Sequence, residues 1–136
     1  MSQLYLEIIT PSKIGYKGNV ASVTVPGTKG NFQVLINHAP IISSLEIGEI
    51  KIEEQTGTAT HFATSGGTIE VSNNKVIVLA ESFEEADQID KIRANDAKQR
   101  AQERLSEKSD ENFDNFRAEL ALKRAINRLK VSSKYM

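Results

Sequence analysis

Hydrophobic and polar residues alternate along the first half of the chain and recur at a longer spacing along the second. Leu4, Leu6 and Ile8 alternate with Tyr5 and Glu7; Val23 and Val25 flank Thr24 and stop at Pro26-Gly27; Ile50 and Ile52 enclose Lys51; Ile69 and Val71 enclose Glu70. A two-residue period puts such side chains on one face, so each run predicts a half-buried β-strand. Val76-Ile77-Val78-Leu79 is apolar at every position, which predicts a central strand. Asn73-Asn74 before it predicts a hairpin turn, because asparagine tolerates positive φ. All eight glycines and all three prolines precede residue 68. Many short strands with such punctuation predict a β-sandwich or barrel, not a βαβ sheet.

After residue 86 glycine and proline vanish, and Ala, Lys, Arg, Glu and Gln dominate. These are good helix formers, interrupted by a polar stretch at Ser106–Asn112 that reads as a connection. Asp87 is the predicted cap of a first helix, with Asp90 in its first turn, where the helix dipole favours a carboxylate. Ile89, Ile92, Ala97, Ala101 and Leu105 trace a narrow apolar seam. Phe113, Phe116, Leu120, Leu122, Ile126 and Leu129 mark a second helix. The pattern predicts an αα-hairpin with a thin, Ala-rich seam that closes only weakly and depends on a neighbour, since isolated helices of this length are marginal in water. The predicted fold class is therefore β + α: an N-terminal antiparallel β-sandwich over residues 1–86, followed by a C-terminal two-helix (αα) hairpin over residues 87–136.

The 136 residues carry a net charge of −1, split into −4 over residues 1–85 and +3 over residues 86–136. Near neutrality argues against nucleic-acid or membrane-surface binding by the chain as a whole. The absence of cysteine excludes disulfides, zinc–thiolate sites and thiol catalysis. Residues 1–9 have no basic n-region and no long apolar run, so neither a signal peptide nor a membrane span is expected, and any membrane association has to pass through another protein.

Candidate chemistry is sparse. His38 and His61 are the only histidines, too few for a metal site and without an evident nucleophile. His38 reads as a turn residue bonding backbone before Ala39-Pro40, and His61 as a strand surface residue. Ser65-Gly66-Gly67 lacks phosphate-loop spacing and predicts a bulge or a close strand approach. The adjacent pairs Glu53-Glu54 and Glu84-Glu85 point to opposite faces of a strand and do not form an acid/base pair. With no convergent polar site, a small stand-alone enzyme is disfavoured. The arginines stand out instead. Arg93 and Arg100 are seven apart on the first helix, and Arg124 and Arg128 four apart on the second. In an antiparallel hairpin these faces can meet, and clustered guanidiniums invite an anion. The alternative is a solvated basic face with weak pairs, such as Glu103 with nearby Lys or Arg.

Four stretches together resemble one family, the epsilon subunits of bacterial F-type ATP synthases. Val25-Pro26-Gly27-Thr28-Lys29-Gly30-Asn31-Phe32-Gln33-Val34-Leu35-Ile36-Asn37-His38-Ala39-Pro40 resembles the family's PG…G…GVL…HAP signature. Ser65-Gly66-Gly67-Thr68-Ile69-Glu70-Val71, with Val76-Ile77-Val78-Leu79-Ala80, is similar to its paired strands. Ile89-Asp90-Lys91-Ile92-Arg93-Ala94 matches the I/L-D-x-x-R-A motif, and the run Ala121 to Leu129 is similar to its second helix. The family more often has Gly where Gln33 stands and an acidic residue near Asn31; both differences fall in a loop that family members present to the c-subunit ring.

The resemblance implies a non-catalytic rotor subunit that couples the c ring and gamma subunit to the catalytic head, touching the beta and alpha subunits and inhibiting ATP hydrolysis through its C-terminal helices. It implies residence at the cytoplasmic face of the bacterial plasma membrane, held there only through the complex. Asn31, Gln33 and His38 are the implied ring contacts. No cofactor is required. ATP is the implied regulatory ligand, with Asp90, Arg93, Arg100, Arg124 and Arg128 as its polar contacts and Ile89 and Ala94 lining the base. A second reading of the same residues has the basic second helix, extended, insert against acidic loops of the catalytic beta subunits and block rotation.

Overall fold

The computed structural model describes residues 3–106 and 112–134. The chain divides into two compact units, Met1–Glu85 and Ala86–Met136.

The first unit holds ten strands: β1 Leu4–Ile9, β2 Ile14–Val20, β3 Ser22–Gly27, β4 Gly30–Val34, β5 Ile41–Leu45, β6 Gly48–Glu53, β7 Ala59–Thr64, β8 Gly67–Ser72, β9 Lys75–Ala80 and β10 Glu84–Glu85. They follow one hydrogen-bonded path, β10-β7-β6-β3-β5-β8-β9-β1-β2, with β4 added to β3. The path narrows to a single bridge, Gly27 opposite Leu45, and folds there into two layers. Every pairing is antiparallel except β1 with β9, where Leu6 lies beside Val76 and Ile8 beside Val78. That parallel pair joins the first strand to the ninth, in keeping with the long crossover that parallel neighbours need.

The inward faces supply the core: Leu4, Leu6, Ile8, Val20, Val23, Val25, Val34, Ile50, Ile52, Ile69, Val71, Val76 and Val78 are essentially inaccessible. Phe62 stacks on Phe83 at 4.2 Å between ring centroids. A Cβ on Gly15 would sit 2.7 Å from the Phe83 ring. The outermost strand β2 thus meets the segment leading into β10, and the two ends of the path come together at a glycine.

The alternating runs fall on β1, β3, β6 and β8. The segment IGYKGNV of β2 carries two glycines and buries only Val20, and ATHFAT of β7 is small and polar; neither announces itself by period. β9 is central, between β8 and β1, yet its second apolar face is open, with Leu79 exposed. Asn73 and Asn74 form the β8–β9 turn at φ 50° and 60°. Gly67 permits the close approach expected of it, because a Cβ there would collide with the Leu79 carbonyl oxygen.

The second unit begins with a 3₁₀ turn, Ala86–Gln88, followed by α1 Lys91–Ser106 and α2 Asn112–Ser132. α1 packs along α2, and the 3₁₀ turn also packs on α2. The expected connection lies mostly outside the described residues, as does the Phe113 side chain. Ser106 and Asn112 themselves are helical.

The seam agrees with the expected one at Ile89 and Ala101 and differs elsewhere. Ala94 and Ala101 on α1, and Ala118, Ala125 and Val131 on α2, are buried, whereas Ile92 is 76% exposed, Phe116 60% and Ile126 44%. Ala97, Leu105, Leu120, Leu122 and Leu129 are half-buried, and Ile89 is buried ahead of α1. The reason is geometric. Alanines seven apart on both helices form one facing line, and small side chains along it allow close axes. Larger residues are displaced to its flanks and back.

Candidate functional site

α1 starts at Asp90. Asp90 Oδ1 accepts the Arg93 backbone N–H at 3.1 Å, and the Asp90 carbonyl accepts the Ala94 N–H at 2.9 Å. Asp90 is therefore the N-cap of α1. The expected cap, Asp87, lies in the 3₁₀ turn instead. The sequence misleads here because either aspartate precedes a helix-forming run; only the 3₁₀ turn decides between them.

The buried alanines fix the inward direction of each helix, and with it the positions of the arginines. Arg93 and Arg100 each precede a buried alanine by one residue, an offset of about 100°. Arg124 precedes Ala125 by one, and Arg128 follows it by three, about 60° around in the same sense. A short connection makes packed neighbours antiparallel. In an antiparallel pair, equal senses of offset fall on the same side of the seam. All four arginines thus flank one side of the hairpin. If Ala94 is set opposite Ala125, then Ala101 falls opposite Ala118, and Arg93, Arg124 and Arg128 share one level. Arg100 lies about 10 Å further along α1. Arg104 and Arg117, which the sequence motifs do not single out, have the same offsets from Ala101 and Ala118 and continue the row. Arg93, Arg100 and Arg124 are exposed and Arg128 is half-buried. On the opposite side of the seam Leu105, Leu122, Ile126 and Leu129 make an apolar flank. Ala94 is sealed in the seam and Ile89 is buried, so in this conformation both contribute packing.

The sandwich carries the remaining candidates. Asn31 and Gln33 are not in a loop; they are exposed on β4, opposite Pro26 and Thr24 of β3. The register explains this: β3 and β4 are joined by a tight turn at Thr28-Lys29, which leaves both residues on a strand. His38 lies in the loop between β4 and β5, where its ring Nδ1 is 2.7 Å from the Ala39 carbonyl oxygen and its backbone N–H donates to the Leu35 carbonyl. That is the local backbone bonding expected of it. His61, on β7, pairs with Glu49 of β6.

Outward from the sheet, one row sets Leu79, Ile9 and Ile14 side by side, and the next holds Ile42 and Ile77 with the exposed Glu70 of β8 between them. Ile42 is 79% exposed, Ile14 58% and Leu79 53%. The adjacent Leu79, Ile9 and Ile14 make a short contiguous aliphatic patch, a candidate interaction surface. Among the described residues no cluster of three or more metal-ligating side chains occurs, and no helix is long and apolar enough to cross a membrane.

Two family models cover the chain almost completely. The "ATP synthase, Delta/Epsilon chain, beta-sandwich domain" matches residues 3–86, and the "long alpha-helix domain" of the same family matches residues 87–133. The chain belongs to the ATP synthase delta/epsilon family. Its relatives include the ATP synthase epsilon chain of Desulforamulus reducens, 43% identical over 93% of this chain and 95% of that one. The epsilon chain of Bacillus cytotoxicus is 44% identical over 98% of both. Among solved structures, a chain of the Euglena gracilis mitochondrial ATP synthase (OSCP/F1/c-ring) matches with a TM-score of 0.83 at 20% identity, covering 93% of this chain and 79% of that one. A chain of the Tetrahymena thermophila mitochondrial central stalk/c-ring matches with a TM-score of 0.63 at 15% identity, over 96% and 97%. At that identity the structures establish the family fold alone: the sandwich followed by two helices.

Proposed function

We propose that this chain is the non-catalytic central-stalk subunit of a proton-translocating F-type ATP synthase. It couples the c ring and the gamma subunit to the catalytic head of alpha and beta subunits, and its C-terminal helices inhibit ATP hydrolysis. The observation that carries the reading is the match of both family models, in order and nearly end to end. The complex makes ATP from ADP and phosphate, and no residue of this chain is given a catalytic role. The subunit is peripheral, at the cytoplasmic face of the bacterial plasma membrane, held there through its partners.

The outward face that carries the Leu79, Ile9 and Ile14 patch, with Ile42 beyond Glu70, is the face assigned to gamma. Asn31, Gln33 and His38 are assigned to the c ring. Capture of gamma by the full-length chain tests the assignment: Ile42→Asp with Leu79→Asp should abolish capture while the sandwich stays folded by NMR dispersion. Undiminished capture refutes the gamma face.

A second reading, favoured by the one-sided row of arginines, makes ATP a regulatory ligand that holds the hairpin closed. Its triphosphate would lie among Arg93, Arg100, Arg124 and Arg128, where charge-assisted bonds are strongest. Calorimetric titration of the purified chain with ATP tests it. No heat of binding at millimolar nucleotide would leave the basic row to the acidic loops of the beta subunits.

A further inference from the structure

The loop between β4 and β5 exposes two adjacent large aliphatic residues, Leu35 at 51% and Ile36 at 42%. Short loops that display such side chains pay for them in solvation unless a partner covers them, and they are useful to a partner only if held still. This loop is held. Asn37 stands at φ 65°. Its backbone N–H donates to Asn74 Oδ1 at 2.6 Å, and Asn74 Nδ2 donates to Asn37 Oδ1 at 3.3 Å. Asn74 is itself fixed, because its carbonyl accepts the Tyr5 N–H of β1 at 2.9 Å. The loop adds its own turn, from His38 N–H to the Leu35 carbonyl at 3.2 Å.

Asn74 is more than a turn residue. It occupies the second position of a turn with both φ values positive, where glycine is the favoured residue on backbone grounds alone. What asparagine adds is a side chain, and that side chain reaches a loop 37 residues away in sequence. We propose that Asn74 is the positioning residue of the β4–β5 loop, clasping Asn37 so that Leu35 and Ile36 are presented as a rigid docking element to the c ring. The clasp acts through the loop and touches no nucleotide. The proposal rests on the rotor reading above, from which the ring contact at this loop comes.

The test uses the full chain assembled into its ATP synthase, with three variants. Asn74→Gly keeps the turn conformation and deletes both side-chain bonds. Asn74→Asp keeps the acceptor for the Asn37 N–H. Leu35→Ser with Ile36→Ser removes the contact itself. In Asn74→Gly the Asn37 amide should exchange at least about tenfold faster, with little change in thermal unfolding. The affinity of the head-and-stalk complex for ring-bearing membranes should fall about five- to tenfold, the scale of one lost hydrogen bond, and Asn74→Asp should restore most of it. Accelerated exchange with unchanged membrane affinity overturns the positioning role. Unchanged affinity in the Leu35/Ile36 double variant overturns the ring contact and the proposal with it. Loss there but none in Asn74→Gly removes the clasp alone.

Discussion

The two units of this chain are held together by different means. The sandwich buries Leu, Ile and Val side chains from both layers, each worth roughly 1.5–3 kcal/mol when fully buried. The hairpin closes chiefly on four alanines, Ala94, Ala101, Ala118 and Ala125, whose methyl groups contribute on the order of 0.8 kcal/mol apiece. Of its larger apolar residues Val131 is buried and the leucines are half-buried, while Ile92 and Phe116 are left in water. One unit is therefore locked by its own core and the other only lightly closed. A lightly closed hairpin is what a ligand or a partner can shift, because a modest difference in affinity between two conformations suffices.

The largest test of this contrast is in the sandwich. Ile50 is fully buried in its core, and Ile50→Ala should cost about 2–5 kcal/mol. Urea denaturation read in the sandwich should show the loss, while the helical ellipticity of the lightly closed hairpin should fall at lower urea with a midpoint that the substitution leaves in place. Loss of both in a single transition would mean that the units do not differ as described.

Next comes the arginine row. If ATP binds there, Arg93→Ala should weaken it by about 1.5–3 kcal/mol, as for hydrogen bonds to charged groups, or roughly 10- to 150-fold. Lys91 precedes Ala94 by three residues, which places it on the other side of the seam, so Lys91→Ala should change affinity little. In the assembled enzyme, ATP should relieve inhibition and Arg93→Ala should abolish that relief. Equal affinities for the two variants would reduce the row to a solvated face or to a contact with the catalytic head.

The seam itself can be overfilled. Ala101 faces α2 with almost no accessible surface, so Ala101→Leu should cost about 1–3 kcal/mol of closure. The same change at Gln99, which is exposed, should cost little. Thermal melts followed by ellipticity at helical wavelengths separate the two. A stabilised Ala101→Leu would mean that the helices are not in close contact along this line.

How far the sequence carried depended on which physical signal each element leaves. β1, β3, β6 and β8 were legible because one face is buried and the other wet, which writes a period of two. β2 and β7 were not, because glycine and small polar residues leave no period and their place comes from their neighbours. In the hairpin the apolar period pointed to Ile92 and Phe116, since size was read as burial. Close packing selected alanines: Ala101 lay in the expected Ala-rich seam, whereas Ala94, Ala118 and Ala125 were marked only as helix formers. The arginine positions were visible from spacing, but their common side became evident only once the alanines fixed the inward direction. The Asn37–Asn74 clasp was legible by half: Asn73-Asn74 announced a turn, and nothing local announced its partner.

Ile92 gives the smallest effect and the most discriminating one. Its side chain is 76% exposed although it lies within the I/L-D-x-x-R-A motif, between the cap Asp90 and the buried Ala94. A residue that belonged to the hairpin's core would cost 2–5 kcal/mol on truncation. A solvated one changes stability by no more than about 0.5 kcal/mol, and glutamine matches isoleucine or betters it in helix propensity. Ile92→Gln in the isolated chain should therefore leave the helical melt within about 0.5 kcal/mol of the parent. A loss of 2 kcal/mol or more would place Ile92 in a packed seam in solution, and the alanine line would then not be what closes the hairpin. An unchanged melt leaves Ile92 as apolar surface that the closed hairpin does not use.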